Sequence, residues 1–325
     1  MNLDLGSLTA SYKENKKEET TSSSYLEKFV RMPEGKGSVT LRILPPAPSG
    51  AFGRDKNPFF QWTRIHKVNG KSLHDPRVKV DGRWVGKNPI GDYLKWLWKE
   101  SETKPQKEKE EMQNSYREMK PIERYYYNVI VRSERDENGN VMQNVGPKIL
   151  SVGKTVHEII LRGIVGDEEM NIDGYGDVTD FKTGRDFKLM KSIRKSGENT
   201  YPSYEASCFV DPSPAGTPEE CEEWMKNLHD LTALRVLKTP EELENELAIH
   251  LGYKQEDTDG FDPSKFAKKN NVEKNDVVFE KVETKVESKV SEVSDSDSYV
   301  DVSDDDIDVD LEADADFLSE LKNIK

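Results

Sequence analysis

From Lys254 to the C-terminus the chain carries 22 Asp and Glu against 10 Lys and no Arg, a net of −12. Ser, Asp, Val and Glu dominate this stretch, and so unbalanced a segment does not bury enough apolar surface to offset the entropy of ordering itself. Any packed fold therefore has to come from the residues before it. The whole-chain net charge of −14 hides this polarity, because residues 25–163 hold 26 basic and 17 acidic side chains. The apolar share of 34% is below the roughly 45–50% of an average globular chain, which fits a folded unit flanked by unfolded segments.

The other end is polar as well. Residues 1–23 are mostly Ser, Thr, Lys and Glu after a short Leu3–Leu8 opening, and they read as a flexible arm. Lys13, Lys16 and Lys17 near Thr9 and Ser11 make a basic and hydroxyl cluster suited to an acidic or phosphate surface, diluted by Glu14, Glu18 and Glu19. The domain reading is an arm over 1–23, a folded core over 24–253 and an acidic tail over 254–325. Two cysteines, Cys208 and Cys221, with no secretory signal and no long apolar run, predict a reducing cytoplasm and no membrane.

Within the core, Phe59–Val131 mixes flat rings with cations. Four of the five tryptophans, Trp62, Trp84, Trp96 and Trp98, lie there with Arg64, Lys67, Lys71, Arg83, Lys120 and Arg124 among them. Stacking on aromatic side chains is worth about 1–3 kcal/mol per base and tolerates any sequence, while Lys and Arg supply salt-dependent attraction to phosphates. The pattern predicts a surface for single-stranded nucleic acid.

The elements follow from periodicity and turn chemistry. Ser38–Leu44 alternates, placing Val39, Leu41 and Ile43 on one face of a strand ended by Pro45. Phe59–Val68 alternates with Phe60, Trp62, Arg64 and His66 on one face. Asn69-Gly70 and Asp81-Gly82 predict tight hairpins. Gly91–Glu100 changes to helical spacing, and Pro105 separates it from a charged helical stretch ending near Lys120. Arg124–Arg132 reverts to strand; its three tyrosines put rings on both faces, leaving at least one free for contact. Lys154–Ile164 reads as a short core helix and Asp177–Val210 as strands. Thr217-Pro-Glu-Glu and Thr239-Pro-Glu-Glu start helices over about 218–236 and 240–251. The predicted class is mainly β with α: an oligonucleotide-binding (OB) β-barrel core, a small insertion over 66–120 and C-terminal helices.

Several of these segments resemble, in their order, the single-stranded-DNA-binding, helix-destabilising proteins of T4-like bacteriophages. They are Gly37–Pro45, His66 with Asn69-Gly70-Lys71, Arg124–Val131, Asp177-Val-Thr with Asp186-Phe-Lys-Leu, Glu241-Glu-Leu, and the Asp-Phe-Leu near the end. The resemblance implies DNA contact at Tyr93, Tyr116, Tyr125, Tyr126 and Phe187, with Lys120 and Arg124 near the phosphates. With the strand residues Phe60, Trp62, Arg64 and Lys67, these make the predicted site. It further implies roles in DNA replication, recombination and repair, head-to-tail self-association through the arm, and a tail that competes for the groove and recruits replication and recombination proteins. Members of that family hold zinc with one His and three Cys. Here Asn88-Pro-Ile-Gly91 stands where a Cys-Pro-x-Cys pair would, and only His66 is retained, so no zinc or other cofactor is expected. Trp84, Leu94, Trp96, Leu97 and Trp98 are then read as apolar filling of a metal-free insertion.

One reading from another class rests on Asp177 and Asp180-Phe-Lys182-Thr-Gly. It resembles the Asp-x-Lys-Thr-Gly signature of RecB-like nucleases, in which carboxylates hold Mg²⁺ and the lysine polarises water. No Gln-x-x-x-Tyr follows it.

Overall fold

The computed structural model describes residues 27–32, 35–135, 141–196 and 199–252. The expected arm over 1–23, the acidic tail from 254, and the turns at Glu137–Asn140 and Gly197 lie outside these residues. The first strand, β1 (Gly37–Ile43), is followed by β2 (Gln61–Val68), β3 (Lys71–His74) and a small hairpin of β4 (Val78–Val80) and β5 (Arg83–Val85). Helices α1 (Pro89–Ser101) and α2 (Gln106–Met119) lead into the long β6 (Ile122–Arg135), then β7 (Val141–Val152) and α3 (Lys154–Val165). After the short β8 (Gly166–Asp167) and β9 (Ile172–Asp173) come β10 (Arg185–Ser196), β11 (Asn199–Ser203), β12 (Cys208–Pro212), α4 (Pro218–Lys226) and α5 (Pro240–His250).

Eight strands form one antiparallel sheet in the order β11-β10-β1-β6-β2-β3, with β12 also on β10 and β7 also on β6. These pairings do not close it into a barrel, so the architecture is a mixed α/β fold with a large antiparallel sheet and, among the described residues, five α-helices. The turn chemistry holds: Asn69-Gly70 (φ 54° and 72°) joins β2 to β3, and Asp81-Gly82 (φ 48° and 77°) joins β4 to β5. Both Thr-Pro-Glu-Glu starts form reciprocal capping boxes, Thr217 with Glu220 and Thr239 with Glu242.

The alternation in β1 puts Leu41 and Ile43 in the main core with Phe187 and Leu189 of β10, Val129 and Val131 of β6, and Val156 and Ile160 of α3. A second cluster joins α1, Val68, Leu73 and Met119 to Leu243 and Leu247 of α5. Strand β6 is covered on both faces. Tyr125 and Tyr127 enter the main core, while Tyr126 packs on the other side against Ile65, Leu231 and Leu234. All three tyrosines are therefore buried, and none stands free as their alternation predicted.

Two expectations shift. The helix from Pro218 ends at Lys226, because His229 N–H bonds Asn128 Oδ1 and Asp230 caps a separate 3-10 turn at Leu231–Leu234. The segment from Asp177 to Gly184 is a run of turns rather than a strand. Asp177 Oδ1 accepts from Thr179 N–H and Oγ1–H, and Asp180 Oδ1 from Lys182 N–H, Thr183 N–H and Thr183 Oγ1–H.

Those turns wrap Arg42, which has no exposed surface although it lies on the polar face of β1. Its Nε donates to Asp186 Oδ1 at 2.7 Å, Nη1 to the Asp180 carbonyl at 3.2 Å and Nη2 to the Ser213 carbonyl at 2.7 Å. Arg132 of β6 reaches the same carboxylate from Nε, at 3.0 and 2.9 Å, and donates to the Ala215 and Pro214 carbonyls. Asp186 thus neutralises two arginines from adjacent strands. Removing one partner leaves a buried charge uncompensated, so Asp186→Ala is expected to cost roughly 3–5 kcal/mol in urea denaturation; an unchanged midpoint contradicts this role.

Candidate nucleic-acid interface

Strand β2 pairs with the start of β6 so that Trp62 lies opposite Tyr125, Thr63 opposite Arg124 and Arg64 opposite Glu123. Trp62 and Arg64, two residues apart, share one face. Around them the rings form a ladder of two groups, joined where Trp62 pairs with Tyr125 across the strands. Trp84 of the β4–β5 hairpin stacks on Trp62 at 5.8 Å between centroids with a 21° interplanar angle. Tyr125 stacks on His157 of α3 at 3.6 Å and 12°, and Phe60 meets the same imidazole edge-on at 4.6 Å. Phe59 continues to Phe60 at 6.3 Å and to Tyr127 at 5.5 Å. Phe60, Trp62 and Trp84 are partly exposed, while Tyr125, Tyr127 and His157 beneath them are buried.

The buried members are fixed by hydrogen bonds. Tyr125 Oη donates to Glu123 Oε2 at 2.9 Å; burial and then the Glu123 carboxylate push its phenol above the ordinary range. Tyr127 Oη and His157 Nδ1 are hydrogen-bonded at 2.6 Å, and burial brings the imidazole down to about 4, so His157 is neutral near pH 7. A neutral imidazole stacked under Tyr125 puts no buried charge beneath the ladder. The cations stand at its margin: the Arg64 guanidinium lies 4.4 Å over the Trp84 ring and Lys79 Nζ at 6.0 Å.

Of the residues singled out from sequence, Phe60, Trp62, Arg64 and Tyr125 come together in this ladder, and Lys67 follows on the same strand, half-buried. Arg124 is buried opposite Thr63, and Lys120 is half-buried just beyond α2. Tyr93 and Tyr116 belong instead to the helical cluster, Tyr93 buried against Trp96 and Tyr116 half-buried against Trp98. Tyr126 and Phe187 are wholly buried, at 0% exposure each, and hold strands together. Sequence reasoning did not single out His157, because a lone histidine in an apolar helix carries no signal of its own. Trp84, expected inside the insertion, is not in the helical core but on the ladder.

The insertion is tied by a buried polar cluster. Arg77 grips Asp75 from Nε and Nη2 at 3.0 and 2.8 Å. His66 Nδ1 lies 2.9 Å from the Met119 carbonyl and its Nε2 lies 3.0 Å from Asn88 Nδ2 and 3.8 Å from Asp75 Oδ2. Burial alone would raise the Asp75 carboxyl; His66 and the bidentate Arg77 outweigh it and hold it well below the usual range. A Cβ added at Gly91 would sit 2.7 Å from Arg77 Nη2, so the guanidinium fills the space before the α1 N-terminus. Asn88 caps that helix by accepting from Gly91 N–H. A guanidinium, an amide and an imidazole with both nitrogens engaged do not fit a tetrahedral zinc site, and among the described residues no three His, Cys, Asp or Glu are grouped to hold a metal.

Residues 35–252 match the family model of gp32 DNA-binding-protein-like domains. The matched family is one of DNA-binding proteins, and that is the class of this chain. The chain belongs to the gp32-like family, that of the T4-like single-stranded-DNA-binding proteins. No curated protein matches it. Among the described residues no helix is long and apolar enough to cross a membrane.

Two histidines make the core acid-sensitive. His157 is brought to about 4 by burial, and His74 to about 4 by burial and then by Arg235. A folded pKa below the unfolded value of about 6.5 stabilises the fold above that pH and loses the contribution as pH falls through the folded value. The denaturation midpoint is therefore expected to fall between about pH 6.5 and 4, with a flatter profile for His157→Gln; identical profiles would contradict the assignment.

Proposed function

We propose that the protein binds and coats single-stranded DNA without strong sequence preference, through the aromatic ladder on β2, β6 and the β4–β5 hairpin. One observation carries this reading: large rings lie partly exposed on a rigid buried aromatic base, with Arg64 on their face of β2 and Lys79 beside them. That combination stacks bases and attracts phosphates without reading sequence. The site is Phe60, Trp62, Arg64, Lys67, Lys120 and Arg124, with Tyr125, Tyr126 and Phe187 supporting it from within and Tyr93 and Tyr116 packing the insertion beside it. The sheet would act as an oligonucleotide-binding fold left open at its ends.

The family suggests the setting: phage DNA replication, recombination and repair in the host cytoplasm. In this reading residues 24–253 form the binding core and the arm over 1–23 contacts a neighbouring copy head-to-tail. The acidic tail from 254 competes with DNA for the cationic margin and, once released, recruits replication and recombination proteins. A Mg²⁺-dependent nuclease at Asp177, Asp180 and Lys182 is disfavoured, because both carboxylates cap turns around Arg42.

Titration of tryptophan fluorescence with poly(dT) and with an equal-length duplex tests the assignment. Single strands are expected to quench and to bind less tightly as salt rises; a preference for duplex overturns it. Trp62→Ala should lower affinity by about 5- to 100-fold, the worth of one stacking platform. Deleting residues 292–325 should tighten binding at low salt, and unchanged affinity there would defeat the proposed competition.

A further inference from the structure

The β4–β5 hairpin joins no other strand of the described residues. In its register Lys79 pairs with Trp84, Val78 with Val85 and Val80 with Arg83, so Trp84 and Lys79 share one face and the valines the other. The valine face is open to solvent, with Val78, Val80 and Val85 46, 49 and 52% exposed. The opposite face carries Trp84 onto β2. There its ring stacks on Trp62 at 5.8 Å and lies 4.4 Å from the Arg64 guanidinium.

An aromatic ring and an arginine guanidinium are the two side-chain surfaces that hold an unpaired base. Here both hold an indole, a fused bicyclic ring close in size to a purine, presented by a hairpin with no other strand partner. We propose that Trp62 and Arg64 form a subsite for one nucleobase, and that Trp84 occupies it as an internal stand-in until single-stranded nucleic acid displaces it. The inference rests on the single-strand-binding reading above. It reverses the role expected for a second tryptophan on the ladder. If Trp84 were a further contact, its loss would weaken binding. As a stand-in its loss strengthens binding, because the incoming base no longer has to break the Trp62–Trp84 stack.

The full-length wild type, Trp84→Ala and Trp84→Phe are to be titrated against a fluorescein-labelled oligothymidylate at fixed salt. Trp84→Ala is expected to bind about tenfold tighter than wild type, on the scale of one stack removed, and Trp84→Phe, which keeps a ring, to fall between them. Equal or weaker binding by Trp84→Ala overturns the stand-in. Failure of the wild type to bind overturns the underlying reading, and the subsite with it, so the two failures are distinct. A second measurement does not depend on the alanine variant folding. In 5-fluorotryptophan-labelled protein, the ¹⁹F resonance assigned by Trp84→Phe should gain a solvent isotope shift when oligothymidylate is added. A resonance that stays shielded in the complex contradicts displacement.

Discussion

Strand β6 makes three pairings at once, and the rest of the molecule depends on it. Along one edge it runs beside β7 from Tyr125 to Arg135, with a register shift between Val129 and Val131. Along the other it pairs first with β2, through Ile122–Tyr126, and then with β1, through Val129–Val131. Because one strand hands its edge from β2 to β1, the sheet turns there and both of its faces have to be covered. The near-continuous apolar run Tyr-Tyr-Tyr-Asn-Val-Ile-Val suits that position, with Asn128 bridging to His229 on both its amide groups.

The ladder follows from this geometry. Tyr125 and Tyr127 cannot reach solvent, so they serve as the base on which Phe60 and Trp62 stand, and His157 wedges between them from α3. A partly exposed ring on a rigid, hydrogen-bonded support loses little entropy when it stacks on a ligand, which suits binding by preorganisation. The cations belong to β2 and the hairpin, beside the rings rather than beneath them. Attraction to phosphate and stacking on bases then act side by side, as a sequence-tolerant single-strand surface requires.

Much of this was legible in the residues. The alternation of Val39, Leu41 and Ile43, the two Asx-Gly hairpins, the helical spacing after Pro89 and the paired Thr-Pro-Glu-Glu caps each report a local rule, and the structure obeys them. What stayed hidden depends on contacts remote in sequence. Arg42 reads as a solvent-facing strand residue, yet it is fully buried because Asp186, 144 positions away, neutralises it. The tyrosine run reads as having one exposed ring, yet the Leu231–Leu234 turn comes from far along the chain to cover Tyr126. Asp-Phe-Lys-Thr-Gly looks like a short catalytic strand until Asp180 is seen capping a turn whose carbonyl accepts from Arg42. In the site, Trp62 and Arg64 were visible from their spacing. Trp84 was assigned to the wrong core, since nothing local says that a short hairpin folds back over β2.

In the function proposed above, bases meet the protein at Phe60 and Trp62, on the ladder built over Tyr125. Photo-crosslinking of an iododeoxyuridine-substituted oligothymidylate, with the modified residues located by mass spectrometry, tests it most directly, because stacked aromatic side chains are the groups that react. The account predicts crosslinks concentrated at Phe60, Trp62 and their neighbours on β2 and lost on adding unlabelled poly(dT). Crosslinks confined to the β8–β9 or β10–β11 hairpins, with none on β2, would contradict it.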